Sequence, residues 1–300
     1  MRTPLWTALI ISAVLVAATS PRPTIAAQSG NNRERTLFVS AVDEKGEPVL
    51  GLGPDAFVVR EEGRRREILR VSRATEPIDL ALLVDTSQAA TDEITFIRDG
   101  LSRFVSTLGS EHRMALITLA DRPTVLVPYT TDAGALTKAI GRLFQQTGSG
   151  MTLLDGLWET SRGLRRRQGA RAVFVPLVTD GIEFTNRYSK DIIRELRESG
   201  AALHFVGIGR FVYSDDFPVR ERAFVIDDGP KATGGQRITL LAAQAVPATM
   251  ERLARELSSQ YKVVYGRPDS PYEWNVEVTS GRPGVTVRGA PARREPGATK

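Results

Sequence analysis

Hydrophobic positions change their period along the chain, and each change predicts a different kind of unit. Between Leu37 and Val71 they come in short runs at 37–42, 57–60 and 67–71, the last two reading as a hairpin that turns at Glu61-Glu62-Gly63. A unit of about 40 residues with so few strands is too small to bury a comfortable core alone. From Ile78 strands and helices alternate. Leu80 to Val84 is one continuous apolar run, as expected of a strand covered on both faces. Ile94, Ile97, Leu101, Phe104, Val105 and Leu108 follow at helical spacing. Further strands are predicted at 114–120, 124–127, 172–178 and 202–208. Helices are predicted over 133–145, from Thr152, and over 189–199 with Ser189 as N-cap and Gly200 as stop. This alternation predicts an α/β fold, Rossmann-like and doubly wound around a mostly parallel sheet, over residues 78–258.

Two places disturb the rhythm. Pro176 has no N–H for its ladder and suggests a bulge in a central strand. Residues 211–236, with Asp215-Asp216, Asp227-Asp228 and Pro230, read as a long irregular loop. Pro247 opens a last helix, and strand-like pieces follow at 261–265, 274–278 and 285–287. The β segments at 35–75 and 260–289 are each too few to stand alone. They are expected to pair into one small β-sandwich built from both termini, with a disordered tail over 290–300.

The N-terminus has a separate grammar. Met1-Arg2, an apolar run from Leu5 to Ala18, the breakers Ser20, Pro21 and Pro23, and the small residues Thr24 to Ala27 follow the order of a secretory signal peptide over 1–27. The run is short for a membrane span of roughly 20 residues, and no later stretch is long and apolar enough. Export to a periplasmic or extracellular location is expected, with an uncleaved anchor as the alternative. With no cysteine, disulfides, thiolate metal sites, cysteine nucleophiles and cysteine-linked lipids are excluded. The formal charge of +5 includes Arg2 and Arg22, which leave with the signal, and no basic stripe with interleaved aromatics points to nucleic acid. The triplets Arg64-Arg65-Arg66 and Arg165-Arg166-Arg167 read as solvated charges.

The candidate chemistry follows from the fold. Open α/β sheets bind ligands outside the carboxyl ends of their strands, at the point where the winding reverses. One strand here ends in Asp85-Thr86-Ser87-Gln88-Ala89, another in Thr179-Asp180-Gly181, and Gly148-Ser149-Gly150-Met151-Thr152 leads into a helix. Wound as predicted, Asp85, Ser87, Thr152 and Asp180 converge. Carboxylates and hydroxyls without His or Cys form a hard oxygen set, suited to magnesium, manganese or calcium. Each residue also has a plainer reading: Asp85 and Asp180 as helix caps, and Thr152 with Asp155 as a capping box. Of the two histidines, His204 is expected in the core and His112 on the surface, and Trp158 and Trp274 read as core. Neither a nucleophile elbow nor a phosphate-binding loop is present, and enzymatic activity is not expected.

In order and spacing these loops resemble the von Willebrand factor type A domain. Its metal ion-dependent adhesion site reads Asp-x-Ser-x-Ser, then a distant Thr, then a distant Asp. Asp85, Ser87, Thr152 and Asp180 match, and Ala89 stands where the second Ser belongs. The flanks are similar to those of exported bacterial proteins described as VWFA-related: Val-Asp-Glu-Lys-Gly-Glu-Pro-Val at 42–49, Arg-Glu-Leu-x-x-Gln-Tyr at 255–261 and Arg-Pro-Gly-Val-x-Val-Arg at 282–288. The resemblance implies a vWA-type fold and a protein-binding role in adhesion or complex assembly. It implies a Mg2+ (or Mn2+ or Ca2+) ion held by Asp85, Ser87, Thr152 and Asp180, with an acidic side chain of a protein partner completing its coordination. The missing hydroxyl at Ala89 marks the site as degenerate. It leaves open a second reading, a metal-free scaffold that binds through residues 211–236 or its helical faces.

Overall fold

The computed structural model describes residues 34–266 and 276–293. The expected signal peptide, Trp274 and the end of the expected tail lie outside the described residues. The chain begins with β1 (Glu34–Val42), β2 (Phe57–Glu61), β3 (Arg64–Arg66) and β4 (Ile68–Arg73). Next come β5 (Ile78–Asp85), α1 (Ile94–Leu108), β6 (Arg113–Leu119), β7 (Pro123–Thr130), α2 (Ala133–Ile140), α3 (Leu153–Leu164), β8 (Arg171–Thr179) and α4 (Ser189–Ser199). They are followed by β9 (Ala201–Ile208), α5 (Phe217–Thr233), β10 (Gln236–Leu240), α6 (Val246–Ser258), β11 (Tyr261–Gly266), β12 (Val276–Ser280) and β13 (Thr286–Pro291).

The central sheet has the order β10-β9-β8-β5-β6-β7, parallel throughout except for β7. The apolar run of β5 is explained by its two covered faces. Ile78, Leu80, Leu82 and Val84 join the core beneath α1, α2 and α6, with Leu101, Phe104, Leu136 and Met250. Ala81 and Leu83 point to the other side, where α3, α4 and α5 bring Leu153, Leu157, Ile192, Leu196 and Val225. Gly200 ends α4 in the left-handed conformation (φ 67°), as a helix stop requires, but Ser189 is not its cap: its N–H and hydroxyl both donate to Glu221 Oε2 at 2.7 Å.

The residues expected to form a loop at 211–236 are mostly helix α5. Its buried positions fall at 221/222, 225/226, 229/230 and 233, a proper helical stripe. Only Val225 and Ile226 in that stripe are large and apolar, so its period is hidden in a hydrophobicity pattern. Pro176 produces no bulge. β8 keeps one register with β9 from Ala172↔Ala201 to Thr179↔Ile208, and its ladder skips Val175 and Pro176. His112 is buried, with Nδ1 accepting the Ile78 N–H at 3.4 Å, so the surface placement is corrected. His204 is in the core as expected.

The terminal strands form two antiparallel sheets, β13-β1-β11-β4 and β12-β2-β3. Their facing residues, Leu37, Val39, Phe57, Val59, Tyr261, Val263 and Tyr265, make a shared core. The hairpin partner of β2 is the arginine triplet of β3, turning at Glu62 and Gly63 with positive φ. Residues 67–71, expected in that hairpin, fall mostly in β4, which instead pairs with β11 in the other sheet. The exposed Arg64 and Arg65 thus occupy a sheet edge, where charge discourages pairing with another chain.

Arg293 lies beyond the expected start of the tail yet is tightly held. Its N–H donates to Ala170 O at 2.9 Å, and its guanidinium donates to the carbonyls of Ser199 (3.0 Å), Gly169 (3.3 Å), Leu164 (2.7 Å) and Arg167 (3.0 Å). The fully buried Asp79 carboxylate lies 3.7 Å away. Among the described residues no helix is long and apolar enough to cross a membrane.

Candidate functional site

β5 and β8 are neighbours, and from their carboxyl ends the chain departs to opposite faces of the sheet. Asp85, the last residue of β5, is fully buried. Its Oδ1 accepts the Ser87 N–H at 2.8 Å, and its Oδ2 accepts the Thr179 N–H at 3.0 Å and the Thr179 hydroxyl at 2.5 Å. Three donors fix this carboxylate and bind the end of β5 to the end of β8, so Asp85 does not serve as a helix cap. Ser87 opens a short 3-10 turn over Gln88–Ala90 rather than an extended loop. The Ser87 hydroxyl is buried and has no hydrogen-bond partner among the described residues. A buried polar atom without a partner is costly, which makes it the natural place to look for a ligand.

Gly181 shows how closely the loops approach. A Cβ there would stand 3.0 Å from the Ala89 Cβ, 3.2 Å from Ser87 Oγ and 3.6 Å from Thr179 Oγ1. These groups therefore border one small space. The middle loop is sewn to the first by Gln146 N–H to Thr86 O (2.8 Å), Gln88 N–H to Ser149 O (3.3 Å) and Gly148 N–H to the Gln88 amide oxygen (2.8 Å). It is sewn to the third by Met151 N–H to Ile182 O and Phe184 N–H to Met151 O, both 2.7 Å. Three loops far apart in sequence thus form one hydrogen-bonded rim.

Thr152 sits in that rim, buried, with its hydroxyl donating to Ala120 O at 2.9 Å. It does not cap α3, and Asp155 turns instead to Arg187. The capping role belongs to Glu183, whose carboxylate accepts the N–H groups of Leu153 and Leu154 at 3.3 and 3.1 Å. Asp180 is partly exposed and pairs with Arg222 at 3.4 Å, so it too is no helix cap. Burial raises its carboxyl above the usual range, opposed by the Arg222 charge and the Val212 N–H.

The oxygens of this rim are compatible with a hard divalent ion: the carboxylates of Asp85 and Asp180 and the hydroxyls of Thr152 and Ser87, the last buried and without a partner among the described residues. Among the described residues no group of three or more His, Cys, Asp or Glu gathers as a metal cage. Hydroxyls and water would have to complete the coordination. Glu183 and Arg222 escaped the sequence reading, and Thr179 entered it only as part of Thr179-Asp180-Gly181, with no role of its own. Thr179 and Glu183 lie beside Asp180-Gly181, and nothing in their type or spacing separates them from ordinary loop residues. Arg222 was hidden because its helix was.

Glu183 gives a pH signature. Burial pushes its carboxyl up to about 8, against the N–H groups of Leu154 and Leu153 and the charge of Arg222, while Asp155 adds to the rise. The folded chain therefore keeps a proton that the unfolded chain releases near 4.5. That contribution to stability is fully present below the unfolded value and is lost as pH rises through about 8. Glu183→Gln keeps one acceptor for the helix start and cannot titrate, so thermal melts between pH 5 and 8 should decline less in the variant. Parallel curves for the two proteins would refute the assignment.

A family profile described as "von Willebrand factor type A domain" matches residues 79–218. Curated protein sequences yield no match. Among solved structures, proximal thread matrix protein 1 from the mussel byssus superposes with a TM-score of 0.50 at 15% identity, covering 66% of this chain and 50% of that one. The von Willebrand factor type A protein from Catenulispora acidiphila gives 0.48 at 12% identity, covering 87% and 74%. The vWF domain of the type V pili tip protein Mfa5 from Porphyromonas gingivalis gives 0.47 at 13% identity, covering 61% and 95%. The profile match spans β5 to the start of α5, the segment that carries all three loops of the rim, and the chain accordingly contains a von Willebrand factor type A domain.

Proposed function

We propose that this chain is an extracytoplasmic protein-binding module for adhesion or complex assembly, which captures an acidic side chain of its partner through a divalent ion at a degenerate adhesion site. Domains of this family are interaction modules, and the coarse role follows from membership. The observation that carries the finer reading is the partnerless buried hydroxyl of Ser87, facing the same space as Ala89 and Thr179 beside Gly181. Ser87 and Thr152 would offer hydroxyl oxygens, and Asp85 and Asp180 would supply charge directly or through water. A bound ion supplies an open coordination position for a carboxylate. Beside it the rim exposes Ile182 and Phe184, and Val212 follows on the loop whose N–H meets Asp180, apolar side chains of the kind that support a protein partner over a small solute. Export is part of the same proposal and rests on the N-terminal sequence.

The test is metal binding and its repair. Ala89→Ser restores the missing oxygen at nearly constant volume. A held hydroxyl would replace a water that must be immobilised, so magnesium affinity should rise roughly fivefold, about 1 kcal/mol. Calorimetric titration of both proteins measures this, and equal affinities would mean that position 89 does not face the ion. The metal-free scaffold remains the rival reading, favoured by the Asp180–Arg222 pair, in which the charge of the acid is already answered.

A further inference from the structure

Arg222 reaches the rim from α5. Its side chain is only 4% exposed, one terminal nitrogen lies 3.4 Å from Asp180 Oδ1, and the other donates to the Gly181 carbonyl. The guanidinium also stands 5.5 Å from the centre of the Phe211 ring. A buried guanidinium needs a counter-charge, and among the described residues Asp180 is the acid with which it forms an ion pair. Asp180 is also one of the two carboxylates expected to serve a metal ion.

We infer that Arg222 is the resident cation of this site: it holds Asp180 and the Asp180-Gly181 loop in place without metal, and it competes with a divalent ion for that carboxylate. The inference rests on the proposed metal site and assigns it a built-in antagonist. Two observations make it independent of Ala89. The loss at position 89 removes an oxygen, whereas Arg222 supplies a fixed positive charge from helix α5. The first lowers the number of ligands and the second lowers the attraction for any cation. A dication drawn to Asp180 would sit within a few ångströms of the guanidinium, and like charges at that range in a partly buried site cost roughly tenfold or more in affinity. The gain for the protein is a rim that stays assembled when metal is scarce.

The test is a calorimetric titration of magnesium, repeated with manganese, into the wild type, Arg222→Gln, Ala89→Ser and the double variant. Gln keeps an amide donor for the Gly181 carbonyl and removes the charge. The expected result is metal binding at least tenfold tighter in Arg222→Gln, with a further gain in the double variant. Melting temperatures supply a second readout: Arg222→Gln should melt below the wild type without metal and recover when magnesium is added. Should Gln fail to fold, Arg222→Met retains the aliphatic stem against Phe211 and carries the same expectation. Binding no tighter than wild type in the charge-removing variant overturns the role of Arg222. If Ala89→Ser gains affinity in that case, the metal site itself survives. If no protein of the four binds either ion, the metal reading and its antagonist fall together.

Discussion

Removal of residues 260–300 should dismantle the β-sandwich while leaving the α/β core largely folded. β11 lies inside the four-stranded sheet, with β1 on one side and β4 on the other, and β13 is the other neighbour of β1. Truncation takes all three C-terminal strands at once. β1 and β4 lose every strand partner, and β2 and β3 are left as an isolated hairpin, a structure of marginal stability in water. The shared core loses Tyr261, Val263, Tyr265, Val276 and Val278, and at about 1.5–3 kcal/mol for each large apolar side chain the deficit is on the order of 10 kcal/mol. That equals the whole stability of many domains, roughly 5–15 kcal/mol. Limited proteolysis with mass spectrometry should find new cleavage within 34–73, and continued protection of that segment would refute the shared sandwich.

Arg293→Met should cost about 3 kcal/mol, a larger loss than any ordinary surface change. The substitution keeps the aliphatic stem and removes donors from four backbone carbonyls, some of them at the end of α3. Water can reach some of these acceptors, which holds the cost below the sum of four charge-assisted bonds. Asp79 keeps Arg113 at 2.6 Å, so its buried charge is not abandoned. A loss of that size lowers the melting temperature by roughly 5 °C in a chain of this length. Calorimetry on the folded protein decides the matter, and a drop of less than about 2 °C would show that water replaces the guanidinium fully.

Much of the fold was legible because its signals are short-range. The run Leu80 to Val84 declares a strand covered on both faces, and the spacing of Ile97, Leu101 and Phe104 declares the helix above it. The meeting of Asp85, Ser87, Thr152 and Asp180 in one rim was legible because loops at the carboxyl ends of a doubly wound sheet converge. Failures came where burial is carried by unexpected residue types. The inner stripe of α5 includes Glu221, Arg222, Gly229 and Pro230, none of which registers as apolar. The capping of α3 was misread because Thr152 and Asp155 have the right spacing, while the carboxylate that performs the task comes from Glu183, 29 residues beyond Leu154. Long-range partners of this kind leave no periodic trace, and the same holds for the pairing of β4 with β11 rather than with β2.

The pairing of β1 with β13 has a mechanical consequence. β1 and β13 are antiparallel neighbours, with Leu37 opposite Pro291 and Val42 opposite Thr286, so the start of one and the end of the other lie side by side at one end of their ladder. Tension entering at Glu34 and leaving at Arg293 would peel these strands apart one rung at a time, starting from that end. The load first meets the α/β core at Arg293, which holds Ala170 O beside β8 and lies 3.7 Å from Asp79 of β5; once that grip yields, the path runs through the sandwich alone. Arg293 sits at the pulled end, and its grip on the carbonyls of Leu164, Gly169 and Ser199 must yield before the first rung opens. Under traction the binding face would keep its shape while the terminal strands give way, like a fuse placed in series before the part it protects.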